Sequence, residues 1–105
     1  MKSDVYFVYI LSNKWDTVLY VGVTNNIERR TWEHEHKVYP GFTANYQVNK
    51  LIYFESYQDA KEAIAREKQI KRWRREKKLK LIQETNPKFE DLMGRVIGDF
   101  SASSK

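Results

Sequence analysis

The chain has 105 residues, 41% hydrophobic and 14% aromatic, enough apolar material for one modest core and too much for a disordered tail. It contains no cysteine, so disulfide frameworks, zinc–thiolate sites and cysteine nucleophiles are excluded. No apolar run approaches the roughly 20 residues of a membrane span, and the N-terminus lacks a signal-peptide pattern. These features predict a cytoplasmic protein with no membrane partner, a single domain over residues 1–100 and a frayed tail at 101–105.

Val5 to Leu11 is an unbroken run of β-branched, aromatic and aliphatic residues, as expected of a strand covered on both faces. Ser12 to Thr17 is turn-like, and Val18 to Val23 forms a second strand. Together they predict a hairpin. If Ser12 pairs with Thr17 across a four-residue loop, Tyr9 lies opposite Tyr20. Gly22 would let the backbone bend or approach a ligand. Thr24, Asn25 and Asn26 are candidate caps for a following helix. On that helix Ile27, Arg30, Thr31 and His34 recur at three- and four-residue steps and share one face. A cation and an imidazole are unusual in line with Ile27.

Pro40-Gly41 ends this helix, and residues 37–47, with Phe42 and Tyr46, read as irregular. Val48 to Glu55 contains a third strand. Ser56 or Asp59 could cap the next helix, whose apolar stripe is Ala60, Ala63, Ile64 and Ile70. Glu67 falls inside that stripe, a costly place for a carboxylate unless it is paired or metal-bound. The helix continues with a break near Trp73 and stops at Asn86-Pro87. Leu92, Met93, Val96 and Ile97 suit a short packing element between residues 89 and 100. The expected fold is α/β: a small, three-stranded, mainly antiparallel sheet flanked by helices.

The net charge of +5 is concentrated. Residues 66–80 carry nine basic and two acidic side chains, a net of +7, so the rest of the chain carries −2. Arg66, Lys68, Lys71, Arg72, Arg74, Arg75, Lys77 and Lys78 would neutralise phosphates without reading sequence.

Taken together, Phe7-Val8-Tyr9, Tyr20-Val21-Gly22, Arg30, His34 and Glu67 resemble the motifs of the GIY-YIG nuclease superfamily, and the whole is similar to its small standalone bacterial members. The resemblance runs from about Val5 to Leu92. Phe7 stands where the first motif has its glycine, a departure from the pattern. The likeness implies metal-assisted phosphodiester hydrolysis. Tyr9 and Tyr20 would match the motif tyrosines, Arg30 the helix arginine, His34 the histidine of some members, Glu67 the ligand of a single Mg²⁺ or Mn²⁺, and, in a looser alignment, Asn86 the asparagine that follows. Tyr9 would accept the proton of the attacking water, Tyr20 would orient water or phosphate, and Arg30 would meet the phosphate oxygens.

The implied partner is nucleic acid, DNA ahead of RNA, with a role such as DNA repair. A protein partner could supply specificity, since the chain has no room for a second DNA-binding domain. Two other readings stand beside the endonuclease: a non-catalytic nucleic-acid-binding module of the same fold, and an adaptor docking an acidic protein through the basic helix. Without the resemblance, Tyr9 and Tyr20 are ordinary strand aromatics and Glu67 is half of an ion pair.

Overall fold

A computed structural model of the chain describes residues 5–27, 48 and 50–93. Three strands, β1 (Tyr6–Ser12), β2 (Leu19–Thr24) and β3 (Lys50–Tyr57), are followed by two helices, α1 (Ala60–Arg72) and α2 (Arg75–Thr85). The sheet order is β2-β1-β3, and both pairings are antiparallel. The fold class is therefore the α/β arrangement the sequence predicts, a small three-stranded antiparallel sheet with helices. The expected helix face with Arg30, Thr31 and His34, the segment 37–47, the element beyond Met93 and the tail lie outside the described residues.

As the central strand, β1 is covered on both sides, which accounts for its lack of polar alternation. On one face Val8, Ile10, Val21 and Tyr53 pack with Ala63 and Ile70 of α1 and Ile82 of α2. On the other, Tyr9, Leu11 and Leu51 pack with Ile27, Val48 and Leu92.

The hairpin register differs from the expected one by two residues. Tyr9 pairs with Gly22, Leu11 with Tyr20 and Ser12 with Leu19. The cause is Asn13, buried in the turn. Its Oδ1 accepts from the backbone N–H groups of Thr17 at 2.9 Å and Val18 at 3.1 Å, and its Nδ2 donates to Thr17 Oγ1 at 2.8 Å. This Asx-type bonding lengthens the loop to six residues. A two-residue shift keeps every side chain on its face, so Tyr9 and Tyr20 remain on one side as diagonal neighbours.

Gly22 sits inside the strand and not at a bend. A Cβ built there would meet Tyr9 Cζ at 2.5 Å, so the glycine makes room for the phenol ring lying across it.

Between β1 and β3 a bulge leaves Ile52 unmatched, since Ile10 pairs with Tyr53 and Leu11 with Leu51. Asn86, 4% exposed, donates from Nδ2 to the Ile52 carbonyl at 3.0 Å and to the Glu90 carbonyl at 2.8 Å, while its Oδ1 accepts from Glu90 N–H at 3.0 Å. The asparagine thus closes α2 and satisfies the carbonyl exposed by the bulge.

Of the two candidate caps for α1, Asp59 is the one used, accepting from Lys61 N–H at 3.1 Å. The helices break at Trp73 and Arg74, both extended, as the sequence predicts. The buried stripe of α1 runs through Ala63, Glu67 and Ile70. Ile64 is 42% exposed, because it lies about 100° round the helix from Ala63 and off the line that faces the sheet.

Gly22→Ala is expected to destabilise the fold by about 1–3 kcal/mol, measured by urea denaturation. Most of that cost should vanish in a Tyr9→Ala background, where no ring opposes the new methyl.

Candidate active site

The two phenols come together by strand pairing. Tyr9 is 1% exposed and Tyr20 half-buried. Their ring centroids lie 6.3 Å apart, tilted by 41°, within the range of productive aromatic contact. The chain then leaves β2 through a turn in which Asn26 N–H donates to Thr24 Oγ1 at 3.1 Å. Ile27 follows, fully buried on the same face as Tyr9. Arg30 and His34 lie outside the described residues.

Glu67 is placed differently. It is 8% exposed and pairs with Lys71 Nζ at 2.5 Å one turn along α1, which meets the requirement that a buried carboxylate be compensated. It shares its stripe with Ala63 and Ile70, which pack on Val8, Ile10 and Val21. The acid and the phenols therefore spring from opposite faces of the sheet. Helix α1 packs against all three strands, mainly β1 and β2.

Among the described residues no three His, Cys, Asp or Glu side chains gather into a metal cluster. A lone buried carboxylate suits Mg²⁺ or Mn²⁺, which keep several waters and use one or two protein oxygens, and does not suit zinc. The donor chemistry at Glu67 fits such an ion, provided that Lys71 yields its place. Asn86 has both amide hydrogens and its carbonyl oxygen engaged in the anchoring bonds already described.

The basic segment divides by partner. Arg66 is committed to Glu55: its Nε lies 3.1 Å from Oε1 and its Nη2 3.0 Å from Oε2. Lys77 lies 4.4 Å and Arg66 5.2 Å from the centroid of the half-buried Trp73 ring. Lys68, Arg72 and Arg74 are exposed. Burial and the neighbouring Arg75 lower the pKa of Lys78.

The sequence reading missed the cluster around Glu55, which also accepts from the hydroxyls of Tyr53 and, at 2.7 Å, Tyr57. Its local signal was the alternation Tyr53-x-Glu55-x-Tyr57, which puts all three on one strand face. Burial alone would raise the Glu55 pKa, but hydrogen bonds from Arg66, Tyr53 and Tyr57 outweigh it and hold the carboxyl below its ordinary 4.5. Burial, then the bond to Glu55, raises the pKa of both Tyr53 and Tyr57.

Comparison with known proteins fits this architecture. Residues 5–80 match the family described as the GIY-YIG catalytic domain. The chain belongs to the GIY-YIG domain family. A UPF0213 protein of Clostridium perfringens is 40% identical over 85 residues, 81% of this chain and 90% of that protein. Another, from Haloquadratum walsbyi, is 35% identical over 78% of this chain and 91% of its own length. The solution NMR structure of a UPF0213 protein from Bacillus halodurans superposes with a TM-score of 0.54 at 25% identity, covering 83% of this chain and 92% of that one. No helix among the described residues is long and apolar enough to cross a membrane.

The Glu55 cluster gives a signed pH dependence. Because the folded carboxyl pKa is depressed, its contribution is full above the ordinary 4.5 and is lost as pH falls through the folded value. Raised phenol values act oppositely, their contribution fading as pH climbs above about 10. Glu55→Gln should lower stability at pH 7 by about 2 kcal/mol and flatten the acid limb of a denaturation-versus-pH profile. Equal losses at pH 3 and pH 7 would contradict this account.

Proposed function

We propose that the protein is a divalent-metal-dependent endonuclease hydrolysing phosphodiester bonds of DNA, with specificity drawn from substrate structure and not from base sequence. The observation that carries this reading is the phenol pair of Tyr9 and Tyr20, held 6.3 Å apart over Gly22 in a chain matching the GIY-YIG catalytic domain.

Since Glu67 and the phenols spring from opposite faces, the reading puts the reacting phosphate at the edge of β2. Glu67 would hold a single Mg²⁺ or Mn²⁺, which supplies positive charge against the phosphate oxygens. Tyr9 accepts the proton of the attacking water, and Tyr20 orients that water. A free phenol ionises only near pH 10, so a base of this kind needs a cation beside it. Arg30, with His34 four residues further along the chain, takes that office in the proposal. Arg30 also donates to the non-bridging oxygens, where charge develops in the transition state. Lys68, Arg72, Arg74 and Lys77 neutralise flanking phosphates, giving affinity that falls with salt.

A second reading, a nucleic-acid-binding module without turnover, is favoured by the Lys71 ammonium already seated on Glu67 and by Phe7 in the first motif.

The test is cleavage of supercoiled plasmid, flap and single-stranded DNA with Mg²⁺ or Mn²⁺. Arg30→Ala, Tyr9→Phe and Glu67→Ala are each expected to reduce it by about a hundredfold or more. Binding without cleavage across the panel would leave the module; cleavage that survives Glu67→Ala would remove the metal assignment. The ion can also be followed without turnover. Lys71→Met should tighten Mn²⁺ binding, read by calorimetry, about two- to fivefold, the worth of a partly exposed ion pair, and Glu67→Gln should abolish that binding.

A further inference from the structure

Trp15, at the tip of the β1–β2 turn, is 69% exposed, and it and Ile64 are the only large hydrophobic side chains left open among the described residues. A flexible loop could carry such a side chain without consequence, but this turn is not built as one. Asn13 binds it from inside through the bonds to Thr17 and Val18. Ser12 Oγ donates to Asp16 Oδ1 at 2.8 Å, and Asp16 itself adopts a left-handed conformation with φ of 58°. Lys50 Nζ from the start of β3 lies 3.0 Å from the same carboxylate oxygen. Arg75 Nη2 from the start of α2 donates to the Asp16 backbone carbonyl. The indole is thus presented on a turn tied to three separate parts of the fold.

Those ties bring cations to it. Lys14 Nζ lies 5.7 Å from the Trp15 ring centroid, and Lys50 and Arg75 converge on the adjacent Asp16. The Asp16 carboxylate is paired with Lys50, and the exposed Arg74 immediately precedes Arg75 in the chain. An exposed, rigidly held aromatic among cations is what unpaired nucleotides require: a π-face for a base, with positive charge for the phosphates on either side. An apolar protein partner would not be drawn to this charge.

The turn also stands beside Tyr20 of the phenol pair. Leu19 pairs with Ser12 at its mouth, and Tyr20 occupies the next rung of the hairpin.

We propose that the β1–β2 turn is a stacking platform for an unpaired base of single-stranded nucleic acid, with Trp15 against the base and Lys14 and Arg75 against the flanking phosphates. The inference rests on the nucleic-acid reading above and narrows its substrate class to strands with unpaired nucleotides near the phenol pair. It needs no turnover.

The test is anisotropy titration of the full chain in EDTA, without divalent metal, against a fluorescent 12-nucleotide thymidine strand and a blunt duplex of equal length. Trp15→Ala is expected to weaken single-strand binding about tenfold while changing duplex binding less than twofold, and Trp15→Phe to restore most of the loss. Lys14→Gln and Arg75→Gln should each reduce the salt dependence of binding by about one ion, a slope that Trp15→Ala leaves unchanged. Equal losses on both substrates, or no loss on the single strand, would overturn the platform. Because cleavage is suppressed throughout, a chain that binds in this way but never cuts would refute the endonuclease and leave the platform standing.

Discussion

The fold and the candidate site depend on the same steric fact: the Tyr9 ring lies against the sheet where residue 22 has no side chain. A glycine within a strand costs of order 0.5–1 kcal/mol relative to alanine in lost chain entropy, and here the return is a filled interior. With a Cβ at 22 the phenol would be lifted off β2 and out of the packing with Leu11, Ile27 and Val48. The tilt and separation of the Tyr9–Tyr20 pair follow from that seating. So does the burial of one phenol and the partial exposure of the other, an asymmetry suited to a pair in which one group is fixed and its neighbour meets solvent.

The opposite face solves a different problem, that of placing charge among apolar groups. Glu67 lies on the packed stripe of α1 and is answered within its own helix by Lys71, whose side chain stays half exposed. Glu55 is answered by three groups at once, with Arg66 in a two-pronged grip. These two arrangements subtract Arg66 and Lys71 from the cationic surface the composition suggests. What is left to meet a polyanion is shorter than residues 66–80, and it is concentrated around the break between the helices and the start of α2.

The three strands, the limits of α1 and α2 and the break at Trp73 were legible in the sequence because each has a local cause: apolar runs, a capping aspartate, a proline after Asn86. The two-residue error in register had a local cause too, since Asn13 could have been recognised as an Asx residue, but loop length depends on which backbone groups its amide captures, and composition does not specify that. Ile64 was misplaced because four apolar positions define a stripe only to within the rotation of the helix. Pairing of Glu55 with Arg66, and of Asn86 with the carbonyl of Ile52, joins groups 11 and 34 residues apart. Neither has a periodicity to announce it, and the bulge that makes Asn86 necessary exists only once β3 has met β1. For the site, the phenol pair was readable from strand alternation, whereas the relation of Glu67 to it turned on which face of the sheet α1 covers.

How α2 is held shows why its cations stay available. Ile82 is its one buried residue, far less apolar anchorage than α1 has, and a helix of 11 residues is marginal alone in water. Its position is fixed instead at the ends. Asn86 ties the C-terminal end to the bulge in β3, and Arg75 ties the first turn to the carbonyl of Asp16 in the hairpin. Trp73 packs against the core just before the helix begins. Polar contacts of this kind need few residues, so the length between them can remain lysine-rich without unburying a core. The arrangement also fixes the cationic helix to the same turn that lies one rung from Tyr20, so that charge and phenols keep a set spacing. A larger apolar face on α2 would have held it more firmly, but it would have replaced the side chains that face solvent.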